Sequence, residues 1–427
     1  MDTLTLDQAA PLLIGAGQMA IVASTLAYTA KSSPLRLATL ALIGGFGYWH
    51  YWSCPGLSTS GLWNGTCAAT NIIYCLHHID LVILKRADRA DLVDASKPAS
   101  AQGNAFLRAL YLCFSTRSIR SKWQLGNVPA FPSYFRNTAD PGRLSFLFRT
   151  AIIFAWQYLI LDLVDTVMAE QSPEEQQAAY GNGQEYVILG ANKQQLATRL
   201  MTSVAGSFFI GRLIMDFIYR SMALVAVGTG ISRPRDWPPF FGRMRDAYTI
   251  RYFWGRFWHQ WLRGPLSATS LFFSRSILNL PRRSLLEWYS NVFMTFALSA
   301  AVHVGNDVIA GKGVEMGTIV QFQGFAVAML IEDLAQALFR QVFGARKSAD
   351  SKAKAPTPAW QLAIGYLWVQ VVLFVVVPWY LYPSGRMPAG TMWTVPYSIV
   401  ENMGLQNAGI TIAGLLVFIV AFLKPEI

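Results

Sequence analysis

Charged residues are scarce in this chain. Asp, Glu, Lys and Arg together make up 14% of the 427 residues, whereas a soluble domain carries about 25%. A chain with so little charge cannot cover the water-facing surface of the soluble domains that this length would otherwise allow. Hydrophobic residues reach 53% and aromatic residues 13%, a composition that also excludes intrinsic disorder. The sequence therefore predicts an all-α, polytopic integral membrane protein.

Cysteine is rare as well, with four residues in the chain. They form no CxxC pair, no zinc-type spacing and no disulfide framework, so we expect buried thiols and no bound metal. The four are Cys54, Cys67, Cys75 and Cys113. Basic residues exceed acidic ones, with a formal net charge of +11, which in a membrane protein reflects Lys and Arg in cytoplasmic loops. We therefore expect membrane lipids, and no nucleic acid, as partners.

Long apolar stretches are abundant. A helix of about 20 apolar residues crosses a hydrocarbon core of about 30 Å. Nine such stretches occur, at 12–30, 37–53, 66–84, 145–168, 200–227, 286–310, 317–340, 360–382 and 405–423. Segment 264–284 is shorter, is interrupted by Arg275 and is bounded by Pro265 and Pro281, which predicts a re-entrant or interfacial segment. The whole chain, 1–427, is then a single membrane domain with about nine spans.

Charge in the loops sets the expected orientation. Loops 85–143, 229–263 and 342–358 are rich in Lys and Arg, whereas 170–198 holds four Glu and a single Lys. Because basic loops remain in the cytosol, nine spans place the N-terminus in the lumen and the C-terminus in the cytosol, and we expect the endoplasmic reticulum membrane. Segment 229–284 then combines a cytosolic aromatic-basic motif with the re-entrant or interfacial segment.

Histidine occurs only five times. His303 lies inside the apolar run NVFMTFALSAAVHVGNDVIAG, where an ionisable side chain is costly and is a functional-site candidate by default. Asp307 follows four residues later on the same helix face, and it could hold the imidazole in one tautomer. The alternative is a histidine that hydrogen-bonds to a neighbouring helix. We expect structural roles for three of the other histidines, His50, His77 and His78.

The segment YTIRYFWGRFWHQWLR, from Tyr248 to Arg263, is aromatic, basic and free of acids. One interpretation is an interfacial helix, with Arg side chains reaching the headgroups and Trp at the boundary. The other is a cytosolic gate for a polyanionic, nucleotide-like ligand, whose phosphates the guanidinium groups would bind. Composition alone does not separate these two interpretations.

Other acids lie within apolar stretches. Glu332 and Asp333 are adjacent, so they cannot share one helix face. We expect one of them to pair with Arg212 or Arg220, and we expect Asp216 to pair with one of the same two arginines.

The chain resembles the wax-synthase-like branch of the membrane-bound O-acyltransferases. The resemblance begins with the block FWGRFWHQ, which a buried histidine follows further along the chain. Plant wax synthases have FWGRRWN, and related fungal proteins, many of which acetylate terpenoid or meroterpenoid alcohols, have FWGRRWH. Phe257 stands here in place of the usual Arg. MLIEDLAQ, Met329–Gln336, is similar to the GIMxED run of the fungal members. The resemblance rests on specific motifs across 230–345 and implies a helical bundle with a central tunnel and catalytic spans at 286–340.

The resemblance implies transfer of an acyl group from acyl-coenzyme A to a hydroxyl. The invariant histidine of the family falls on His303, which would act as general base, and its Asn-or-His position falls on His259. His259 or Asn306 could donate to the oxyanion. The chain has no GxSxG and no Cys next to a His, so we expect direct transfer without an acyl-enzyme. Candidates for binding the coenzyme are Arg251, Trp254, Arg256, Trp258 and Arg263.

The resemblance to fungal members also implies acetyl-CoA as co-substrate and a lipophilic alcohol, from the membrane, as acceptor. Three alternatives remain open at this stage. The protein could be a long-chain acyltransferase that makes wax or sterol esters. It could also be a proton-coupled transporter with His303, Asp307, Glu332 and Asp333 as a proton relay, or a membrane terpene cyclase that needs no coenzyme.

Overall fold

A computed structural model describes residues 5–92, 103–343 and 357–423, and every regular element in these ranges is helical. The α-helices are α1 (Leu6–Tyr28), α2 (Leu35–Ser53), α3 (Gly61–Ile79), α4 (Ala105–Phe114), α5 (Arg143–Ala169), α6 (Pro173–Tyr180), α7 (Lys193–Val204), α8 (Gly211–Gly228), α9 (Ile250–Tyr252), α10 (Arg263–Phe272), α11 (Leu285–Ile309), α12 (Met316–Phe343), α13 (Ala359–Val376), α14 (Pro378–Gly385), α15 (Ile399–Met403) and α16 (Leu405–Phe418). Short π-helical stretches extend several of them, including Asp80–Leu84 after α3 and Ala205–Ile210 between α7 and α8.

Seven helical stretches of the described chain are long and apolar enough to cross a membrane. They are Leu6–Tyr28, Gly61–Leu84, Arg143–Ala169, Leu285–Ile309, Met316–Val342, Ala359–Val376 and Leu405–Phe422, and they coincide with seven of the predicted spans. The other two predicted spans are helical as well, but they carry more polar residues, such as Arg36 and His50 in α2 and the charged residues of α8. The expected all-α membrane bundle is confirmed.

Capping residues set where some of these helices begin. Thr5 and Gln8 exchange backbone and side-chain hydrogen bonds at the start of α1. At the start of α11, the Ser284 hydroxyl accepts from the Glu287 N–H at 3.0 Å. Such caps satisfy N–H groups that have no partner inside the helix.

The connections that are rich in Lys and Arg contact one another at one end of the helices. The turn between α1 and α2 contacts the chain after α3, where Arg36 donates to the carbonyl oxygen of Ala87 at 2.7 Å. The connection between α3 and α5 in turn reaches the one after α8, because Arg117 donates to the carbonyl oxygen of Pro238 at 2.9 Å. We call this group the basic face. The basic residues of 93–102 and 344–356, with Lys97 and Arg346 among them, lie outside the described residues.

The remaining connections meet one another at the other ends of the helices. Ser60, before α3, donates to the carbonyl oxygen of Trp393 at 2.7 Å. Gln176 of the acidic loop donates to Met387 at 2.9 Å, and Lys312, after α11, donates to a hydroxyl of α14 at 3.0 Å. We call this group the acidic face.

Segment 264–284 holds one continuous helix, which runs antiparallel to the start of α11. α10 and the π-helical stretch Phe273–Ile277 run beside the start of α11, where the hydroxyls of Ser270 and Ser274 donate to Asn291 Oδ1 at 3.0 and 2.7 Å. Arg275, which interrupts the apolar pattern, donates to Glu287 at 2.5 Å. This helix is too short to cross a bilayer, because 1.5 Å per residue gives it a length of about 22 Å.

Candidate active site

His303 lies on α11, against α12 and α14. Its ring stacks on Phe322, with centroids 4.6 Å apart and planes at 21°, and it meets the ring of Tyr380 edge-on at 5.2 Å. His303 Nδ1 lies 3.1 Å from the Tyr380 hydroxyl. In spite of these contacts the His303 side chain is partly exposed. The imidazole is therefore oriented through Nδ1, and its Nε2 has no hydrogen-bond partner within the described residues.

Asp307 does not hold the His303 ring, which corrects the expectation drawn from their spacing. Its carboxylate accepts from Thr318 at 2.7 Å and pairs with the ammonium of Lys312 at 2.5 Å. Both partners come from the turn after α11 and the start of α12. A buried ammonium attracts the carboxylate more strongly than a neutral imidazole does.

Lys312 and Tyr380 are the site residues that the sequence did not suggest. The Lys312 side chain is 4% exposed, and its ammonium lies 5.0 Å from the centre of the Tyr380 ring. A continuous set of contacts thus runs from Asp307 through Lys312 and Tyr380 to His303. The sequence carried one signal for Lys312, since it is a lone basic residue in a connection of the acidic face.

The aromatic-basic motif enters the bundle between α8, α11 and α12. The Thr249 hydroxyl accepts from the Tyr252 N–H at 3.0 Å and starts α9, which continues as the π-helical stretch Phe253–Phe257. The ring of Trp254 packs edge-on against Phe325 and Phe296, at 4.8 and 5.6 Å. The motif is therefore an anchored wall of the site and not a loosely attached surface helix.

His259 follows this wall. Its ring stacks on Phe240, with centroids 5.4 Å apart and planes at 8°, and meets Phe241 edge-on at 5.7 Å. Burial and the neighbouring His303 lower the pKa of His259 to about 3, so the ring is neutral near pH 7. Its Nδ1 is buried and has no hydrogen-bond partner within the described chain. A buried polar atom of this kind is expected to meet a ligand or water.

Both acids of MLIEDLAQ contact the start of the motif. Glu332 accepts from the Ile250 N–H at 2.7 Å, and Asp333 pairs with Arg251 and accepts from the Tyr289 hydroxyl. The expected pairing of one of these acids with Arg212 or Arg220 is wrong, because the motif brings its own arginine to α12.

On α8, the expected ion pair of Asp216 is confirmed. Its partner is Arg220, at 2.6 Å. The guanidinium of Arg212 lies instead over the rings of Phe241 and Phe257, 5.6 Å from each.

The three arginines suggested for the coenzyme differ in their surroundings. Arg251 is paired with Asp333, and Arg263 donates to the carbonyl oxygens of Gly126 and Gly255, at 3.2 and 2.9 Å. Arg256 is exposed, and its guanidinium lies 4.0 Å from the Tyr252 ring centre. Of these three, Arg256 is the one whose guanidinium makes no hydrogen bond to the described part of the chain, so its N–H groups are available for a phosphate.

Trp258 and Asn306 occupy different walls. Trp258 stacks on Phe253, with centroids 5.5 Å apart, and so belongs to the aromatic packing of the motif. Asn306 faces α3, where a Cβ on Gly65 would lie 2.7 Å from its Oδ1. The structure thus brings His303 and the motif together and leaves Asn306 at the α3–α11 contact.

Comparison with known proteins places the chain in a family. Residues 237–325, which include the motif and His303, match the model of the Membrane bound O-acyl transferase family. Similar proteins include acetyltransferase atnC of Arthrinium sp., 33% identical over 92% of this chain and 92% of that protein, and acetyltransferase pyr8 of Aspergillus fumigatus, 35% identical over 89% and 88%. Acetyltransferase TRI7 of Fusarium sporotrichioides is 31% identical over 92% of this chain and 90% of that protein. No solved structure matches. The chain therefore belongs to the membrane-bound O-acyltransferases, as its motifs indicated.

Proposed function

We propose that the protein transfers an acetyl group from acetyl-CoA to a hydroxyl of a lipophilic alcohol, a terpenoid or meroterpenoid of secondary metabolism. The names of the similar proteins support acetyl as the transferred group. The observation that carries the proposal is the environment of His303, whose ring is fixed at Nδ1 by Tyr380 and is still partly exposed. A transporter relay would not require the aromatic-basic wall beside it.

His303 acts as the general base. When Nδ1–H donates to the Tyr380 oxygen, Nε2 carries the lone pair that takes the proton of the alcohol. The alcohol oxygen attacks the thioester carbonyl and forms a tetrahedral oxyanion. Collapse of this intermediate breaks the C–S bond, and the leaving thiolate takes the proton back from His303. The products are the acetate ester and free coenzyme A, with no acyl-enzyme.

His259 stabilises the oxyanion. Its ring is neutral, and its Nδ1 atom is buried and lacks a partner in the described residues. An N–H at this position is already desolvated, so it gains most from a negative charge that develops during the reaction. Stacking on Phe240 and the edge contact with Phe241 fix the direction of that N–H.

The two substrates reach His303 by different routes. The coenzyme approaches from the basic face, in the cytosol, where Arg256 is available for its phosphates. The alcohol enters from the lipid through a cleft of about 350 Å³. That cleft is lined by Val204, Phe208, Phe209, Met244, Arg245, Tyr366 and Gln370. Phe208 connects it to the motif, because its ring lies 5.5 Å from those of Phe253 and Phe257.

The experiment is an assay of the purified protein in detergent micelles, with labelled acetyl-CoA and a panel of terpenoid and meroterpenoid alcohols. We expect labelled ester. Transfer in micelles excludes a transporter, because vectorial transport needs a sealed compartment. A cyclase would turn over without coenzyme, and preference for long-chain acyl donors would favour a wax-ester or sterol-ester enzyme.

Replacement of His303 tests the mechanism directly. His303→Ala removes the base, and general-base catalysis contributes about 10²- to 10⁴-fold, so kcat should fall by that factor at unchanged expression and elution volume. Retained activity would rule out His303 as the base.

A further inference from the structure

Three soft donor atoms converge at the acidic face, where α2 ends against α3. The sulfur of Cys54 lies 3.1 Å from that of Cys67, and His50 Nε2 lies 3.5 Å from the Cys67 sulfur. All three donor atoms lie within 4.8 Å of one another. The catalytic proposal uses none of these residues.

These separations fit a tetrahedral metal ion. Zinc–sulfur bonds of about 2.3 Å and zinc–nitrogen bonds of about 2.0–2.1 Å place two sulfurs about 3.8 Å apart, and a sulfur and a nitrogen about 3.5 Å apart. The distance between the Cys67 sulfur and His50 Nε2 matches the second value, and the two sulfurs need to separate by less than 1 Å. Thiolate and imidazole are the ligands that zinc prefers.

The surrounding chain holds the three donors in place. A Cβ on Gly15 would lie 2.9 Å from Cε1 of the His50 ring, so α1 packs directly against the imidazole. Asn64 fixes the turn after Cys54, because its amide accepts from the Ser58 N–H at 3.0 Å and donates to Pro55 at 3.1 Å. A site that is formed before the ion arrives binds it with little loss of conformational entropy.

We propose that His50, Cys54 and Cys67 bind one Zn²⁺ ion, with water as the fourth ligand. The ion links α2 to α3 beside α1. Binding converts two thiols to thiolates and releases two protons to the solvent. Two thiolates balance the charge of the ion, so the completed site is neutral, as its burial among apolar helices requires. The donors come from two helices, which is why the spacing of the cysteines in the sequence gave no zinc pattern.

Metal content of the purified protein tests this proposal. The full-length protein is loaded with zinc sulfate, washed with a weak chelator and measured by inductively coupled plasma mass spectrometry. We expect one equivalent of zinc in the native protein and a loss of at least tenfold in Cys54→Ser/Cys67→Ser. The matched control, Cys75→Ser/Cys113→Ser, removes the other two cysteines and should keep its zinc.

Cobalt loading of the unaltered protein keeps the test independent of the folding of any variant. A tetrahedral thiolate site gives a sulfur-to-cobalt charge-transfer band in the near ultraviolet and intense visible bands, and added zinc should remove both. Three results would overturn the proposal. They are absence of those bands, equal zinc in the two double variants, or a Cys54–Cys67 disulfide in a non-reducing peptide map of freshly purified protein.

Discussion

At the scale of single residues, the contact between Tyr380 and His303 decides, under the proposed mechanism, which nitrogen of the imidazole acts as the base. The Tyr380 hydroxyl lies 3.1 Å from Nδ1, and a hydrogen bond there directs the lone pair of Nε2 toward the substrate. In the proposed mechanism Tyr380 acts through His303, so it is a positioning residue.

Tyr380→Phe removes this hydrogen bond and preserves the ring. Loss of one hydrogen bond worth about 1–1.5 kcal/mol corresponds to a fall in kcat of roughly tenfold, with KM for acetyl-CoA unchanged. Tyr382→Phe is the matched control, because Tyr382 lies on the same helix and packs instead against Tyr180, with ring centroids 5.3 Å apart. Equal kinetics for Tyr380→Phe and the native enzyme would remove the positioning role.

Two replacements of His259 test whether this residue donates a hydrogen bond to the oxyanion. His259→Asn keeps a donor at the position where plant wax synthases have Asn, so most activity should remain. His259→Leu removes the donor, and loss of one oxyanion donor costs about 10²- to 10³-fold in kcat. Because the pKa of His259 is lowered to about 3, the native residue is neutral above that pH. The acid limb of the pH–rate profile should therefore stay in place in His259→Asn, and a shifted limb would show that His259 titrates during the reaction.

At the scale of elements, the sequence points to the two candidate histidines but not to the surroundings of His303. His303 and His259 stand in continuous motifs, and their residue types and neighbours are readable along the chain. Lys312 and Tyr380 come from connections that meet only after α11, α12 and α14 pack together. The sequence shows that Asp307 shares a helix face with His303, but it does not show that a buried lysine competes for the same carboxylate at 2.5 Å.

The contact between the aromatic-basic motif and α12 supplies an element-scale prediction. Arg251 and Asp333 form a partly exposed pair, with side chains 32% and 21% exposed, so the pair is worth about 1 kcal/mol or less. Arg251→Ala should lower Tm by an amount on the order of 1–2 °C, and Asp333→Ala should lower it by at least as much, because it also loses the hydrogen bond from Tyr289. Exchange of the two charges in Arg251→Asp/Asp333→Arg should recover part of that loss.

Kinetic measurements separate a structural role of Arg251, as the partner of Asp333, from direct binding of the coenzyme. KM for acetyl-CoA should stay unchanged in Arg251→Ala and should rise in Arg256→Ala, whose guanidinium is exposed in the native protein. If Arg251→Ala raised KM and Asp333→Ala did not, Arg251 would bind the phosphates, as the motif first suggested.

At the scale of the whole molecule, the contacts between the connecting loops show more membrane-crossing helices than hydropathy does. Hydropathy and length give seven spans in the described residues. The loop contacts add α2 and the run from α7 to α8 to these seven, because each of them also runs between the basic face and the acidic face. Within the described residues nine passages then alternate in direction, and the described parts of the basic loops meet at one end. The sequence could predict this from loop charge alone, since the bias of Lys and Arg does not depend on the length of each span.

Introduced glycosylation sites test this arrangement. Leu189→Asn/Ala191→Thr creates a sequon in the acidic loop, where Leu189 is 97% exposed, and Ala139→Thr creates one at Asn137 in the basic loop 85–143. Glycan transfer occurs in the lumen, so we expect the first variant to gain mass that endoglycosidase H removes and the second to stay unchanged. The reverse result would invert the orientation and bring acetyl-CoA to the opposite side from the one proposed. Glycans on both variants would place the two loops on the same side, and the nine alternating passages would then be wrong.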